Sequence, residues 1–180
     1  MQGPDRRQEG RSIDYQKLVA DFSGRVYRQA YRILGSRQDA EDATQEVFLK
    51  VYHGLEDFRG EAQVATWIYR ITFNVCVSIR QKRHIDHESL SDVDKGSLSN
   101  LPDPGSGPDE RLAERDRLEQ LALLIAQLPE REAAAITLFY VEDKSYAEIS
   151  RILEIPPGSV ATALHNGREH LRNLLKKDRE

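Results

Sequence analysis

Aromatic, amide and guanidinium side chains recur at helical spacing in the stretch from Asp57 to His84, DFRGEAQVATWIYRITFNVCVSIRQKRH. The polar set is Trp67, Arg70, Asn74, Ser78 and Gln81. Rings can stack on bases, amides can bond base edges, and basic groups can neutralise phosphate. The pattern is compatible with a nucleic-acid contact, and equally with the solvent-exposed side of an ordinary core helix.

Apolar residues in the same stretch predict the helix that positions this polar set. They recur at three- and four-residue spacing: Val64, Ile68, Ile71, Val75 and Ile79. Such a stripe is typical of a helix with one buried face. A loop containing Gly60 precedes it, and a basic cluster ends it: Arg80, Lys82, Arg83 and His84.

A second chemically distinctive face belongs to a helix predicted from Arg37 or Gln38 to about Gly54. Its buried side would hold Ala40, Ala43, Val47 and Val51. Opposite them, four residues fall at i, i+3, i+4 and i+7: Asp42, Gln45, Glu46 and Leu49. Because a solvated face seldom surrounds a leucine with carboxylates, we interpret these four residues as a contact surface for a basic partner.

Near the C-terminus, two short helical segments flank a tight turn. Ser145-Tyr-Ala-Glu148 matches a capping box and starts a short helix that stops before Pro156-Pro157. A final helix is predicted from about Gly158 to Lys177, with Ala147 and Val160 facing inward. The arrangement is typical of a helix-turn-helix whose second helix enters the major groove, although any small helical hairpin would share it.

Composition limits the class of protein. The 180 residues carry a net charge of −4, which argues against an indiscriminate nucleic-acid binder. The lone Cys76 excludes an internal disulfide and a cysteine metal cluster, and we expect no cofactor. No apolar run could cross a membrane and no signal segment opens the chain, so we expect a cytoplasmic protein.

The order of elements predicts an all-α chain with two small helical domains. Residues 1–12 are polar and predicted to be disordered. Residues 13–84 form the first domain, 85–111 an acidic linker rich in Ser, Pro and Gly, and 112–180 the second domain.

Three motifs in this order carry a family resemblance: DAEDATQEVFLKVY, FRGEAQVATWIYRITFN and LPEREAAAITLFYVEDKSYAEISRILEIPPGSV. Together they resemble the extracytoplasmic-function sigma factors, the short two-domain members of the sigma-70 family. The resemblance covers nearly everything from Tyr15 to Leu175. Residues 13–84 would be sigma region 2, and residues 112–180 sigma region 4.

The resemblance implies three binding surfaces. The first docks on the β′ coiled coil of core RNA polymerase: Asp39, Asp42, Gln45, Glu46 and Leu49. The second binds the promoter −10 element and helps to open the duplex: Phe58, Arg59, Gly60, Glu61, Ala62, Trp67, Arg70, Asn74, Arg80, Lys82 and Arg83. The third binds the −35 element: Ser159, Thr162, His165, Asn166, Arg168 and Arg172.

The same resemblance implies further partners and two departures from the family pattern. Region 4 would rest on the polymerase β-flap, and an anti-sigma factor would bind the chain. Ala161, Ala163 and Asn166 occupy positions that the family commonly makes basic, so we expect weak −35 binding. Glu154 replaces a common turn glycine, at a cost of about 1 kcal/mol if its backbone is left-handed.

Two other functional classes remain as alternatives. A stand-alone helix-turn-helix regulator would bind duplex without polymerase, which the weakly basic recognition helix disfavours. A hydrolase would use Asp39, Glu41, Asp42 and Glu46 on a metal. Those carboxylates scatter around their helix and lack a histidine beside them, so we favour a docking face.

Overall fold

The computed structural model describes residues 14–58, 63–86 and 108–177, and within these ranges it contains helices and no strand. The helices are α1 (Tyr15–Leu34), α2 (Arg37–Gly54), α3 (Val64–Asp86), α4 (Pro108–Ala126), α5 (Glu130–Tyr140), α6 (Tyr146–Leu153) and α7 (Pro157–Lys177). The prediction of an all-α chain is confirmed. Across the described ranges, none of these helices is both long and apolar enough to span a bilayer.

Helices α1, α2 and α3 form an N-terminal group that packs on itself. Asp14 caps α1 by accepting hydrogen bonds from the backbone N–H groups of Gln16 and Lys17. Gly35 ends α1 with φ 69°, the left-handed conformation that a C-terminal glycine supplies without strain. Ser36 then caps α2 directly, so that the chain reverses between α1 and α2 within two residues.

The buried surface of α3 differs from the stripe that its sequence predicts. Ile68 and Val75 are buried as expected, whereas Val64, Ile71 and Ile79 are only partly buried. Tyr69, Phe73 and Cys76, which lie outside the predicted stripe, are buried. The physical reason is that α3 has neighbours on two sides, because it packs on α1 and α2 and also on α6. A single apolar stripe describes only one of these contacts.

Helices α4 to α7 form a C-terminal group centred on α5, which contacts α4, α6 and α7. Ala133 and Ile136 of α5 are buried. Tyr140, the last residue of α5, is exposed. Ala147, which was predicted to face inward, is exposed as well, and so is Leu175 near the end of α7.

The two groups contact each other through α1 with α4 and α5, and through α3 with α6. Arg80 of α3 joins them directly. Its guanidinium donates to the carbonyl of Ile33 at 3.2 Å and to that of Leu128 at 3.0 Å. Gly35 lies so close to α4 that a Cβ there would come within 2.8 Å of the Ala126 Cβ.

Helices extend into both ends of the segment predicted as linker. Helix α3 continues to Asp86, and α4 begins at Pro108 rather than at Leu112. A proline suits the first position of a helix because its missing N–H would have no intrahelical partner there. Of the predicted linker, residues 87–107 lie outside the described ranges.

Candidate polymerase and nucleic-acid interfaces

The acidic face of α2 consists of Asp42, Gln45, Glu46 and Leu49. Asp42, Gln45 and Leu49 are exposed, and Leu49 is 59% exposed. Glu46 is partly exposed, and its Oε1 lies 3.4 Å from the Nζ of Lys50. The predicted inner residues Ala40, Ala43, Val47 and Val51 are all fully buried. The helix is therefore fixed by its apolar side, and the acidic face is available for a partner.

Tyr52 extends the acidic face and was not identified from the sequence. It is 58% exposed, and its ring packs edge-on against Tyr15 with 5.2 Å between centroids. It follows Leu49 by one helical turn, which is the signal that could have identified it. An exposed leucine and tyrosine beside carboxylates form a mixed apolar and acidic surface.

Asp39 and Arg83 contact each other, although the sequence assigned them to different surfaces. Their side chains form an ion pair between the first turn of α2 and the last turns of α3. Arg83 also donates to the carbonyl of Leu34 at 3.2 Å. In this arrangement both side chains hold α2, α3 and the end of α1 together.

Trp67 lies at the start of the face predicted to bind the −10 strand, which we call the strand face: Trp67, Arg70 and Asn74. Its indole packs on Gly54, where a Cβ would approach Cζ2 to 2.9 Å, and its ring centroid is 4.8 Å from that of Phe58. The predicted loop residues Arg59, Gly60, Glu61 and Ala62 lie outside the described residues. Phe58 and Trp67 are thus brought together, on either side of that loop.

Arg70 and Asn74 are exposed on the same side of α3, as predicted. In the basic cluster after them, Lys82 and Arg80 differ in exposure and in their contacts. Lys82 is exposed, whereas Arg80 is only 18% exposed and lies 3.4 Å from Glu130 in addition to its two carbonyl contacts. Arg80 is therefore occupied by protein groups in this arrangement.

The capping box and turn of the predicted helix-turn-helix are both present. Ser145 Oγ accepts from the backbone N–H of Glu148, and the Glu148 carboxylate accepts from the backbone N–H of Ser145 at 2.9 Å. These bonds from Ser145 lower the pKa of Glu148. After α6, Glu154 adopts the left-handed conformation, with φ 54° and ψ 41°.

One side of α7 carries all the residues predicted to contact the −35 element. We call it the recognition face: Ser159, Thr162, His165, Asn166, Arg168 and Arg172, each of them exposed. Arg168 donates to the hydroxyl of Tyr140 at 3.4 Å, and Arg172 pairs with Glu169. The opposite side, with Val160, Leu164 and Gly167, is buried.

The interpretation of Ala163 as a missing phosphate contact is wrong. Ala163 is only 8% exposed and belongs to the buried side of α7. A long basic residue would therefore not fit there without displacing its neighbours. Ala161 and Asn166 are exposed, so the expectation of fewer basic groups applies to these two positions alone.

The described residues offer neither a metal-binding cluster nor a reactive cysteine. No group of three or more His, Cys, Asp or Glu in those residues could hold a metal ion. Cys76 is buried, and burial raises the pKa of its thiol to about 12, which disfavours the reactive thiolate.

Comparisons with family models and with individual proteins agree on one family. Residues 18–84 match Sigma-70 region 2, and residues 118–171 match Sigma-70, region 4. The chain is 31% identical to the ECF RNA polymerase sigma factor SigW of Bacillus subtilis over 163 residues, covering 88% of this chain and 87% of that protein. It is 31% identical to the ECF RNA polymerase sigma-E factor of Escherichia coli, covering 96% and 92%.

Two solved structures share the fold. The sigma factor RpoE of Bartonella quintana, solved with the anti-sigma factor NepR, has a TM-score of 0.71 and 19% identity, with 91% of this chain and 97% of that chain covered. CnrH, solved with the cytosolic domain of CnrY, has a TM-score of 0.64 and 22% identity, with 94% and 92% covered. Because the matched regions and relatives span most of the sequence, the chain belongs to the extracytoplasmic-function sigma factors of the sigma-70 family, the subunits that direct RNA polymerase to promoters.

Proposed function

We propose that each of the three exposed faces binds a different partner during transcription initiation. The acidic face of α2 binds the β′ coiled coil of core polymerase. The strand face of α3, with Phe58 and the loop after it, binds the −10 element and assists melting. The recognition face of α7 contacts the −35 element, and region 4 rests on the β-flap.

The observation that carries this proposal is the orientation of the three helices. Each turns an apolar side into the core and leaves exposed some of the residues that the family resemblance assigns to a partner. These exposed residues are Asp42, Gln45 and Leu49 on α2, Arg70, Asn74 and Lys82 on α3, and the whole recognition face on α7. The acidic face suits a basic protein surface, because carboxylates and an exposed leucine offer both charge and apolar area. The strand face offers an indole, a guanidinium and an amide, which are groups that hold unstacked bases and phosphates.

The chain itself catalyses no reaction in this proposal, because the polymerase supplies the chemistry of RNA synthesis. Its contribution is binding energy that offsets the cost of unstacking bases, which is a few kcal/mol for each extruded base. The proposed place of action is the cytoplasm, where polymerase and promoter DNA are found. An anti-sigma factor is a further proposed partner, in keeping with the family.

Run-off transcription with purified core polymerase on a genomic promoter pool tests the function. We expect discrete transcripts that appear only when the chain is added. Duplex binding in the absence of polymerase, with no transcript in its presence, would instead favour a stand-alone regulator.

A charge reversal on α2 tests the docking surface. Glu46→Lys places a cation among the groups that would meet a basic partner, so we expect loss of co-purification with core polymerase. Asp21→Lys makes the same charge change at an exposed position of α1 and should bind normally. Wild-type recovery of core polymerase by Glu46→Lys, with unchanged circular dichroism, would rule out this docking surface.

A further inference from the structure

Tyr15, the first residue of α1, contacts α2 next to the acidic face. Its hydroxyl donates a hydrogen bond to the backbone carbonyl of Phe48, with 3.2 Å between the two oxygens. Its ring lies edge-on to the ring of Tyr52, with 5.2 Å between the centroids and 74° between the planes. Tyr15 therefore contacts α2 through both its polar and its aromatic part.

The hydrogen bond to Phe48 fixes the Tyr15 ring relative to the stretch of backbone that carries Tyr52. Within an α-helix, each carbonyl accepts a hydrogen bond from the backbone N–H four residues later. For Phe48 that later residue is Tyr52, which lies inside α2. A carbonyl oxygen has two lone pairs, so it can accept from the helix and from Tyr15 together. The two tyrosines are thus joined at one carbonyl and again at their rings.

Tyr52 is a large exposed side chain whose ring nevertheless has neighbours on two sides. It is 58% exposed, and it contacts His53 as well as Tyr15. The imidazole of His53 lies edge-on to it, with 5.6 Å between the ring centroids. Leu49 precedes Tyr52 by three residues and therefore lies on the same side of α2, where it too is exposed. Leu49 and Tyr52 form an apolar patch at the end of the acidic face.

A side chain that is already held in place binds a partner more tightly than a mobile one. Association costs free energy for every side chain that must become fixed at the interface. Tyrosine is also enriched among the few residues that contribute most of the binding energy of an interface. An exposed tyrosine ring that its own protein holds in position therefore offers a large contact area at a reduced entropic cost.

We propose that Tyr15 is a positioning residue for docking: it holds the ring of Tyr52 in place for core RNA polymerase to pack against. Tyr15 itself is partly buried and acts through Tyr52. This inference rests on the proposed function, since it takes the acidic face of α2 to be the docking surface. It adds an apolar contact to that surface and gives α1 a part in docking.

A double-mutant cycle in the full-length chain tests the coupling between the two tyrosines. Its variants are Tyr15→Leu, Tyr52→Ala and the chain with both changes, and the affinity of each for core polymerase is measured by biolayer interferometry. We expect Tyr15→Leu to weaken binding about two- to twelvefold, the range for the ordering of one side chain. In the Tyr52→Ala background the same change should have no effect, because the ring that it positions is gone. Equal losses in both backgrounds would show that Tyr15 only supports the fold, and would overturn the proposal.

Two further variants separate the ring contact from a general effect on α1. Tyr27→Leu is the matched control, because Tyr27 is also partly buried on α1 but stacks on Tyr31 of the same helix, with 6.4 Å between centroids. It should bind core polymerase normally, and a loss equal to that of Tyr15→Leu would overturn the proposal. Tyr15→Phe keeps the ring and removes only the hydrogen bond, so it should lose less affinity than Tyr15→Leu. Equal losses of these two variants would leave the ring contact without a role and would also overturn it.

NMR spectroscopy of the free chain reports on the positioning without polymerase. The ring resonances of Tyr52 should shift in Tyr15→Leu, and unchanged resonances would overturn the proposal.

The affinity of Tyr52→Ala distinguishes this inference from the proposed function. Weaker binding by Tyr52→Ala together with wild-type binding by Tyr15→Leu would refute the positioning role alone. Wild-type binding by both Tyr52→Ala and Glu46→Lys would refute the acidic face as the docking surface, and the positioning role with it.

Discussion

At the scale of single residues, the position of Trp67 depends on a glycine in another helix. Gly54 ends α2, and a methyl group added to its Cα would come within 2.9 Å of the Trp67 Cζ2. Contacts that short are not tolerated, so either the backbone or the ring must shift. The small residue is therefore a positional requirement for the aromatic side chain that begins the strand face.

We expect Gly54→Ala to displace the indole and to weaken binding of single-stranded −10 DNA. Trp67 is the chain's single tryptophan, so that its emission reports the displacement directly. Gly24→Ala is the control, because a Cβ there meets only the mobile end of Arg28 at 3.2 Å, and alanine favours a helix by about 1 kcal/mol. Unchanged emission and DNA binding in Gly54→Ala would show that the indole does not depend on this glycine.

At the scale of elements, α7 shows how one helix serves both packing and recognition. Gly167 on its buried side faces Ile136 of α5, and an added Cβ would lie 2.9 Å from Ile136 Cγ1. Gly158 lies near the start of the same helix, with no atom within 4 Å of an added Cβ. The two glycines therefore serve different purposes despite sharing a helix.

Replacing these two glycines by alanine should change stability in opposite directions. Gly167→Ala overfills the contact between α5 and α7, and overpacking costs about 1–3 kcal/mol of unfolding free energy. Gly158→Ala only gains helix propensity, so it should stabilise by up to about 1 kcal/mol. Urea denaturation of both variants measures the difference. Equal stabilities would mean that α5 and α7 adjust to the extra methyl group.

A second pair of changes on α7 tests the recognition face. Ala161 is exposed, so Ala161→Lys should add one phosphate contact. The slope of log affinity for duplex DNA against log salt concentration should then steepen by about 0.9. Because phosphate contacts carry little base information, the gain should be independent of sequence. Ala163 faces the core, so Ala163→Lys should lower the free energy of unfolding instead. A steeper salt slope without destabilisation for Ala163→Lys would contradict the buried placement.

The elements themselves were largely predictable, because their signals are local. Gly35 as a C-cap, the Ser145–Glu148 capping box and the acidic face of α2 follow from residue types at fixed spacing. The burial of Tyr69 and the exposure of Tyr140 were not predictable. Tyr69 is buried because a distant part of the chain covers it, and Tyr140 is exposed because α5 stops there. Neither fact is encoded in local periodicity.

At the scale of the whole molecule, docking on polymerase and opening of DNA are assigned to different helices. The acidic face belongs to α2 and the strand face to α3, and the two helices pack on each other. A change confined to the strand face should therefore leave recruitment to the promoter intact. This separation gives the two steps distinct experimental signatures.

Asn74→Ala should reduce open-complex formation more than it reduces initial recruitment. Asn74 is exposed on α3, so that its loss leaves the core unchanged, while its amide can bond a base edge only when the strands part. Permanganate footprints measure melting, and filter binding of closed complexes measures recruitment. Asn173→Ala, the same change at an exposed position of α7, should leave melting unaffected. Equal losses of Asn74→Ala in both assays would assign Asn74 a structural role, since damage to the fold weakens every step alike.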